Sequence, residues 1–168
     1  MTPFLVGCPW KDNCPDDLLI VRDTTIKDLL TITPLGDTFK IGDKVVVELT
    51  IPDSLYFDEE KISLYEKTGD VFPRLIAGSS LFFRQELNFS NGSQGKEENW
   101  FHLEYMPEES KFSLVINVTL IKPEQYRIPV WIFGTTFKGK EKCERYRVDT
   151  NIKGFEPGEF YEFVVIEN

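Results

Sequence analysis

Lys44-Val45-Val46-Val47-Glu48-Leu49-Thr50-Ile51 sets Val45, Val47, Leu49 and Ile51 on one side of an extended chain and Val46, Glu48 and Thr50 on the other. Strand side chains alternate between faces, so this period of two is the pattern of a sheet with one buried side. Phe112 to Ile121 repeats it more strongly. Phe112, Leu114, Ile116, Val118 and Leu120 share a face, and Ser113, Asn117 and Thr119 share the other, interrupted by Val115.

Working outward from these two segments, Leu81 to Phe89, Trp100 to Met106 and Lys61 to Glu66 alternate in the same way, the last with Ile62 and Leu64 inward. Leu18 to Val21 and Phe39 to Ile41 are short strands. Val71 to Ile76 contains Pro73, which lacks an amide donor, so it reads as an edge or irregular strand. Ile128 to Phe133 is an almost unbroken apolar run and reads as a strand covered on both sides. Lys142 to Asp149 and Glu159 to Glu167 close the chain. Ile26 to Ile32 is ambiguous: a short helix could start at Thr25, but the apolar run Leu29-Leu30-Thr31-Ile32 is followed by Pro34, which favours an extended segment. Gly134 to Lys140 reads as a loop, and the polar, glycine-containing stretch Asn88 to Asn99 as a long mobile hairpin loop. The turns between these segments fall at sandwich spacing, and no long helical period appears. The expectation is therefore an all-β chain: a single antiparallel β-sandwich over residues 18–168, immunoglobulin-like or related, of roughly eight to ten strands. Residues 1–17 form a polar lead or tether.

The 168 residues carry 41% apolar side chains, including 14 Phe, enough for one core. Basic residues number 19 and acidic ones 28, a net charge of -9. That balance argues against nucleic acid, whose phosphates must be neutralised by Lys and Arg. No apolar run approaches the ~18 residues of a membrane-spanning helix.

Asp37-Thr38-Phe39-Lys40-Ile41-Gly42-Asp43, the strand after it, and Pro52-Asp53-Ser54-Leu55-Tyr56 together resemble a segment of surface lipoproteins of Bacteroidetes-type bacteria. In those proteins an F-K-x-G-D phrase, an alternating strand and a P-x-x-L-Y phrase open an immunoglobulin-like region. The resemblance spans residues 37–56. It implies an anchoring cysteine near the N-terminus, and Leu5-Val6-Gly7-Cys8 is similar to the end of a lipoprotein signal. Cys8 is thus the expected lipidation site, although the basic and apolar parts of a signal are missing ahead of it. With Cys8 lipidated, Cys14 and Cys143 are left for a disulfide suited to an oxidising compartment; the alternative is three reduced thiols. The location implied is extracytoplasmic, at the cell surface or outer membrane. A chain with no upstream signal would instead be cytoplasmic.

No phosphate loop, zinc-protease motif or nucleophile elbow is present. Any triad would have to use His102, which sits on an outward strand face and reads as a surface histidine. Glu86 and Glu104 are candidate cross-strand neighbours, read as solvated charges. Asp58-Glu59-Glu60, with Asp53 upstream, offers oxygens to calcium but reads as an acidic turn. No catalytic residue, metal ligand or cofactor is assigned. Binding is better supported. Trp131 falls in an apolar run and reads as core, but Trp100 begins a strand beside a polar segment and is free to anchor a ligand. Arg145 and Arg147 share a strand face as a basic stripe able to hold an acidic patch or a glycan carboxylate. The expected function is non-catalytic: a surface module that binds or scaffolds through an unknown surface protein or glycan. The alternatives are a carbohydrate-binding or degenerate glycoside-active protein, and an assembly subunit working through exposed strand edges.

Overall fold

In the computed structural model, residues 14, 15, 18–78, 82, 85–130, 133–141, 143–156 and 158–167 are described. The elements, in order, are β1 (Ile20–Thr25), β2 (Leu30–Thr33), β3 (Thr38–Lys40), β4 (Lys44–Pro52), β5 (Ser54–Phe57), β6 (Glu60–Ser63), α1 (Leu64–Thr68), β7 (Arg74–Ala77) and β8 (Glu86–Asn91). They continue with β9 (Ser93–Gln94), β10 (Trp100–His102), β11 (Glu104–Met106), β12 (Lys111–Thr119), β13 (Gln125–Pro129), β14 (Phe133–Lys138), β15 (Glu144–Thr150) and β16 (Phe160–Ile166). Three larger sheets run β1-β15-β14-β7-β10-β9, β11-β12-β4-β2 with β8 also on β12, and β13-β16-β3; β5 and β6 form a hairpin. The chain is an all-β domain of several packed, largely antiparallel sheets. Two pairings, β1 with β15 and β3 with β16, are parallel.

The two segments with the cleanest alternation pair with each other: β4 and β12 are antiparallel from Lys44↔Thr119 to Pro52↔Lys111. Their inner faces, Val45, Val47, Leu49 and Ile51 against Phe112, Leu114, Ile116 and Val118, are buried. Opposite them lies the inner face of the six-stranded sheet, and Phe112 meets Phe137 edge-to-face at 4.9 Å between ring centroids. One continuous core results, each large side chain contributing roughly 1.5–3 kcal/mol by burial.

Several expectations are corrected. The stretch around Pro73 is not an edge: β7 begins just after the proline and lies between β14 and β10, so the missing amide falls outside the ladder. Gly134 to Lys140 is not a loop, because Phe133, Thr135 and Phe137 alternate inward and make β14 an interior strand. The apolar run from Ile128 is no single strand but is divided between β13 and β14, which belong to different sheets. Ser63 stops β6 and caps α1, its Oγ accepting from Glu66 N at 3.1 Å, so Lys61 to Glu66 is half strand and half helix. The segment 88–99 is half held in sheets, residues 88–91 by β8 and 93–94 by β9. Gly92, at φ 79°, packs so closely on the His102 carbonyl that only glycine fits there. Sixteen strands are described, more than the sequence pattern resolves, because turns and sheet changes cut long segments into short pieces.

Two devices fasten the ends of the chain. Cys14 and Cys143 form a disulfide with Cα atoms 5.3 Å apart, and Ile20 N donates to Cys143 O, tying the start of β1 to the start of β15. Asn151, 1% exposed, binds the turn before β2. Its Oδ1 accepts from Asp28 N at 2.7 Å, while its Nδ2 donates to Asp28 Oδ1, Ile152 O and Phe155 O.

Candidate functional site

The outward face of the six-stranded sheet collects the binding candidates. Strand register builds it in rows. Ser93, His102, Arg74, Thr136, Arg147 and Asp23 stand side by side across β9, β10, β7, β14, β15 and β1. Trp100, Ile76, Gly134, Asp149 and Thr25 make the next row, and Lys138, Arg145 and Val21 another. Leu75, Thr135, Phe137, Tyr146 and Val148, the alternate residues, are buried, which fixes the rows as outward. Trp100, Arg145 and Arg147 thus share one face although they come from strands far apart in the chain.

Arg74 lies over the indole of Trp100, its guanidinium carbon 4.4 Å from the ring centroid. The two are diagonal neighbours across β7 and β10, the distance at which a long side chain reaches an aromatic one. Arg74 Nε is buried and has no hydrogen-bond partner among the described residues, a cost of about 1–3 kcal/mol that the stacking offsets in part. Behind Trp100 the turn is tight: Gly95 N donates to Trp100 O at 2.7 Å, and a Cβ on Gly95 would lie 2.9 Å from that of Trp100. His102 Nδ1 is 3.0 Å from the Phe72 carbonyl, which holds the ring at the rim of the face.

On the other side, Arg147 Nε donates to Asp149 Oδ1 at 2.8 Å. Both side chains lean over Gly134, where a Cβ would meet Asp149 Oδ1 at 2.7 Å and Arg147 Nε and Nη2 at 3.1 Å. Half of the Arg147 side chain stays open to solvent. Arg145 donates from Nη1 to Glu144 O. On these rows Arg74, Lys138, Arg145 and Arg147 stand among Asp23 and Asp149.

The other candidates do not converge. Glu86 is opposite Thr119 and Glu104 opposite Ser113, so the two are separated along β12 by six residues, about 20 Å, and are not neighbours. Asp53 is buried and engaged, accepting from Ser63 Oγ and Tyr65 N at 2.7 Å each, which fixes α1. Asp58 and Glu59, both at positive φ, form the turn between β5 and β6. Among the described residues no group of three or more His, Cys, Asp and Glu side chains is placed to hold a metal, and no helix is long and apolar enough to cross a membrane. An open depression lined by Arg127, Phe155, Glu159, Phe160 and Glu162 is shallow, and its arginine is already paired with Glu162 at 3.0 Å and stacked on Phe160. Cys8, Trp10 and Trp131 lie outside the described residues.

Sequence reasoning missed Arg74, Thr136 and Gly134, the residues that join Trp100 to Arg147. Signals were available in the alternation of Arg74 and Ile76 against Leu75 and Ala77, and of Phe133, Thr135 and Phe137 against Gly134 and Thr136. No protein-family model, curated protein or solved structure matches the chain.

Proposed function

We propose that this is a non-catalytic binding module of the cell surface, immunoglobulin-like in kind, which meets its ligand on the outward face of the six-stranded sheet. The observation that carries the reading is the convergence of Trp100, Arg74 and Arg147 on one solvent-facing sheet surface, with the two arginines held by Trp100 and by Asp149 over Gly134. Aromatic and arginine side chains on a rigid sheet are the groups that dominate binding energy in recognition surfaces. The Cys14–Cys143 disulfide fits an oxidising, extracytoplasmic compartment. In this reading Cys8 carries the lipid anchor to the outer membrane, and an in-frame basic and apolar segment in the genomic DNA just upstream of Met1 is its test.

A mixed array of glycans and peptides, probed with the wild-type domain and with an Arg74→Ser, Trp100→Ala, Arg147→Ser variant, tests the binding face. The wild type is expected to retain signals that the variant loses while its circular dichroism is unchanged. Signals equal in the two proteins place binding elsewhere and reject the reading.

One observation favours assembly through a strand edge as a second reading. Leu18, Leu19, Ile20 and Val21 are all 41–59% exposed, and among the described residues nothing pairs with the outer edge of β1. Ile20 N and Ile26 N face β15, so Val21, Asp23 and Thr25 carry the free main-chain groups. Antiparallel self-pairing joins residues of the same parity, and its two fullest alignments set Asp23 against Asp23 or Arg22 against Arg22. The edge is therefore built against its own copy and suits an extended segment of another chain. Under this reading Val21→Pro abolishes assembly and leaves the array pattern intact.

A further inference from the structure

We infer that Tyr65 and Tyr105 form a modification site: a haem peroxidase acting with hydrogen peroxide joins their rings as a dityrosine. Tyr65 belongs to α1 and Tyr105 to the sheet of β11, β12, β4 and β2, so the site stands apart from the binding-face reading.

The two rings lie nearly parallel, 8° apart in plane, with centroids 4.4 Å apart. Rings at that spacing set carbons of one against the other at van der Waals contact, about 3.5–4 Å. Reactants held in contact react as though they were one molecule. The chain has six tyrosines, and these are the two whose rings meet. Tyr126, Tyr146 and Tyr161 are buried against phenylalanine rings. Tyr56 is 63% exposed and has no ring against it among the described residues.

The fold holds both partners in place. Tyr65 N donates to Asp53 Oδ1 at 2.7 Å, and the same carboxylate accepts from the Ser63 hydroxyl, which fixes the start of α1. Tyr105 N donates to Val71 O at 3.1 Å. Behind the Tyr105 ring stands Phe112, 4.8 Å away, and behind that Phe137, both fully buried. Tyr105 is therefore backed by the core, while Tyr65, 40% exposed, is the ring an oxidant reaches.

Each ring loses one electron and its hydroxyl proton, leaving a phenoxyl radical shared with the carbons beside the hydroxyl. Tyr65 is oxidised first, takes an electron and a proton from Tyr105 across the contact, and is oxidised again. A carbon–carbon bond then forms between one such carbon of each ring. The hydrogens on those carbons move to the oxygens, restoring both aromatic rings and both hydroxyls. The two electrons and two protons removed reduce one hydrogen peroxide to two waters. Thiols do not open a carbon–carbon bond, so the link holds α1 on β11 in conditions that open the Cys14–Cys143 disulfide.

The test treats the dilute, disulfide-intact protein with horseradish peroxidase and hydrogen peroxide. The monomer is followed by intact mass, by dityrosine fluorescence and by mass spectrometry of its digest. It is expected to lose the mass of two hydrogens and to yield one linked peptide pair containing Tyr65 and Tyr105. Tyr65→Phe keeps the ring but lacks the hydroxyl, and is expected to abolish the product. Tyr105→Phe is expected to do the same, both variants being matched to wild type by circular dichroism. Tyr56→Phe is expected to leave the product unchanged, although Tyr56 is the more exposed. A monomer product that persists in Tyr65→Phe, or linked peptides that contain Tyr56, overturns the inference. So does cross-linking confined to dimers, or oxygen addition at methionine and tryptophan with no linked pair. A wild-type monomer of unchanged mass rejects it as well.

Discussion

Gly134 and Arg147 are diagonal neighbours across β14 and β15, and a Cβ on Gly134 would fall 3.1 Å from both Nε and Nη2 of Arg147. The bare backbone at Gly134 is what allows the guanidinium to lie down on the sheet. Gly134→Val is expected to lift Arg147 and Asp149 off the face, because Asp149 Oδ1 would stand 2.7 Å from the new Cβ. A β-branched residue suits an interior strand, so stability is expected to change by less than about 1 kcal/mol while the signals of the glycan and peptide array fall. Urea denaturation and the array on one preparation separate the two effects.

Asn151 is the polar hub of the turn before β2. Asn151→Ala removes an acceptor for Asp28 N and a donor to three oxygens, all in a residue that is 1% exposed. A loss of about 2–4 kcal/mol is expected from the groups left unsatisfied, read as a lower urea midpoint at constant slope. Asn151→Asp at neutral pH is expected to be worse, since a carboxylate oxygen would then face the Ile152 and Phe155 carbonyls. Lowering the pH through the carboxylate range should recover part of that loss.

The disulfide spans a sequence separation of 129 residues, for which chain entropy sets a stabilisation of at most about 5 kcal/mol. Leu18 to Val21 is exposed, so the β1 edge can detach without opening the core. Reduction, or Cys143→Ser, is therefore expected to raise amide hydrogen exchange at Ile20 and Ile26 while β4 and β12 stay protected. Uniform deprotection of all strands would show that the edge and the core unfold as one unit.

Burial pushes the Tyr126 hydroxyl up to about 12, with the bond from Gln85 acting in the opposite direction. Burial likewise pushes Tyr146 up to about 12, helped by the Glu144 carboxylate that accepts its hydroxyl proton. In the unfolded chain each titrates near pH 10. The folded state thus holds these protons more tightly, and the stability they contribute is complete below about pH 10 and lost as pH rises towards 12. Thermal midpoints are expected to be flat with respect to these groups up to about pH 10 and to fall beyond it, in step with tyrosinate absorbance. Tyr126→Phe should remove part of that alkaline limb.

Local pattern was enough for some of this. The alternation in Lys44 to Ile51 and Phe112 to Ile121 marks two strands and their buried faces correctly, and the shared face of Arg145 and Arg147 follows from their spacing of two. Pro73 misled because a proline weakens a strand only where its amide is needed, and β7 starts one residue later. Gly134 misled because glycine reads as a turn residue, whereas here it makes room for side chains of the neighbouring strand.

By itself the sequence determined that the chain is all-β, that β4 and β12 carry its core, and that Arg145 and Arg147 face the same way, because each of these is set by neighbours along the chain. Only the tertiary structure decided that Trp100, Arg74 and Arg147 share a surface and that Gly134 lies beneath it. Those placements depend on which strands pair and in what register. A shift of one residue in any of them would turn the same side chains to the opposite side of the sheet.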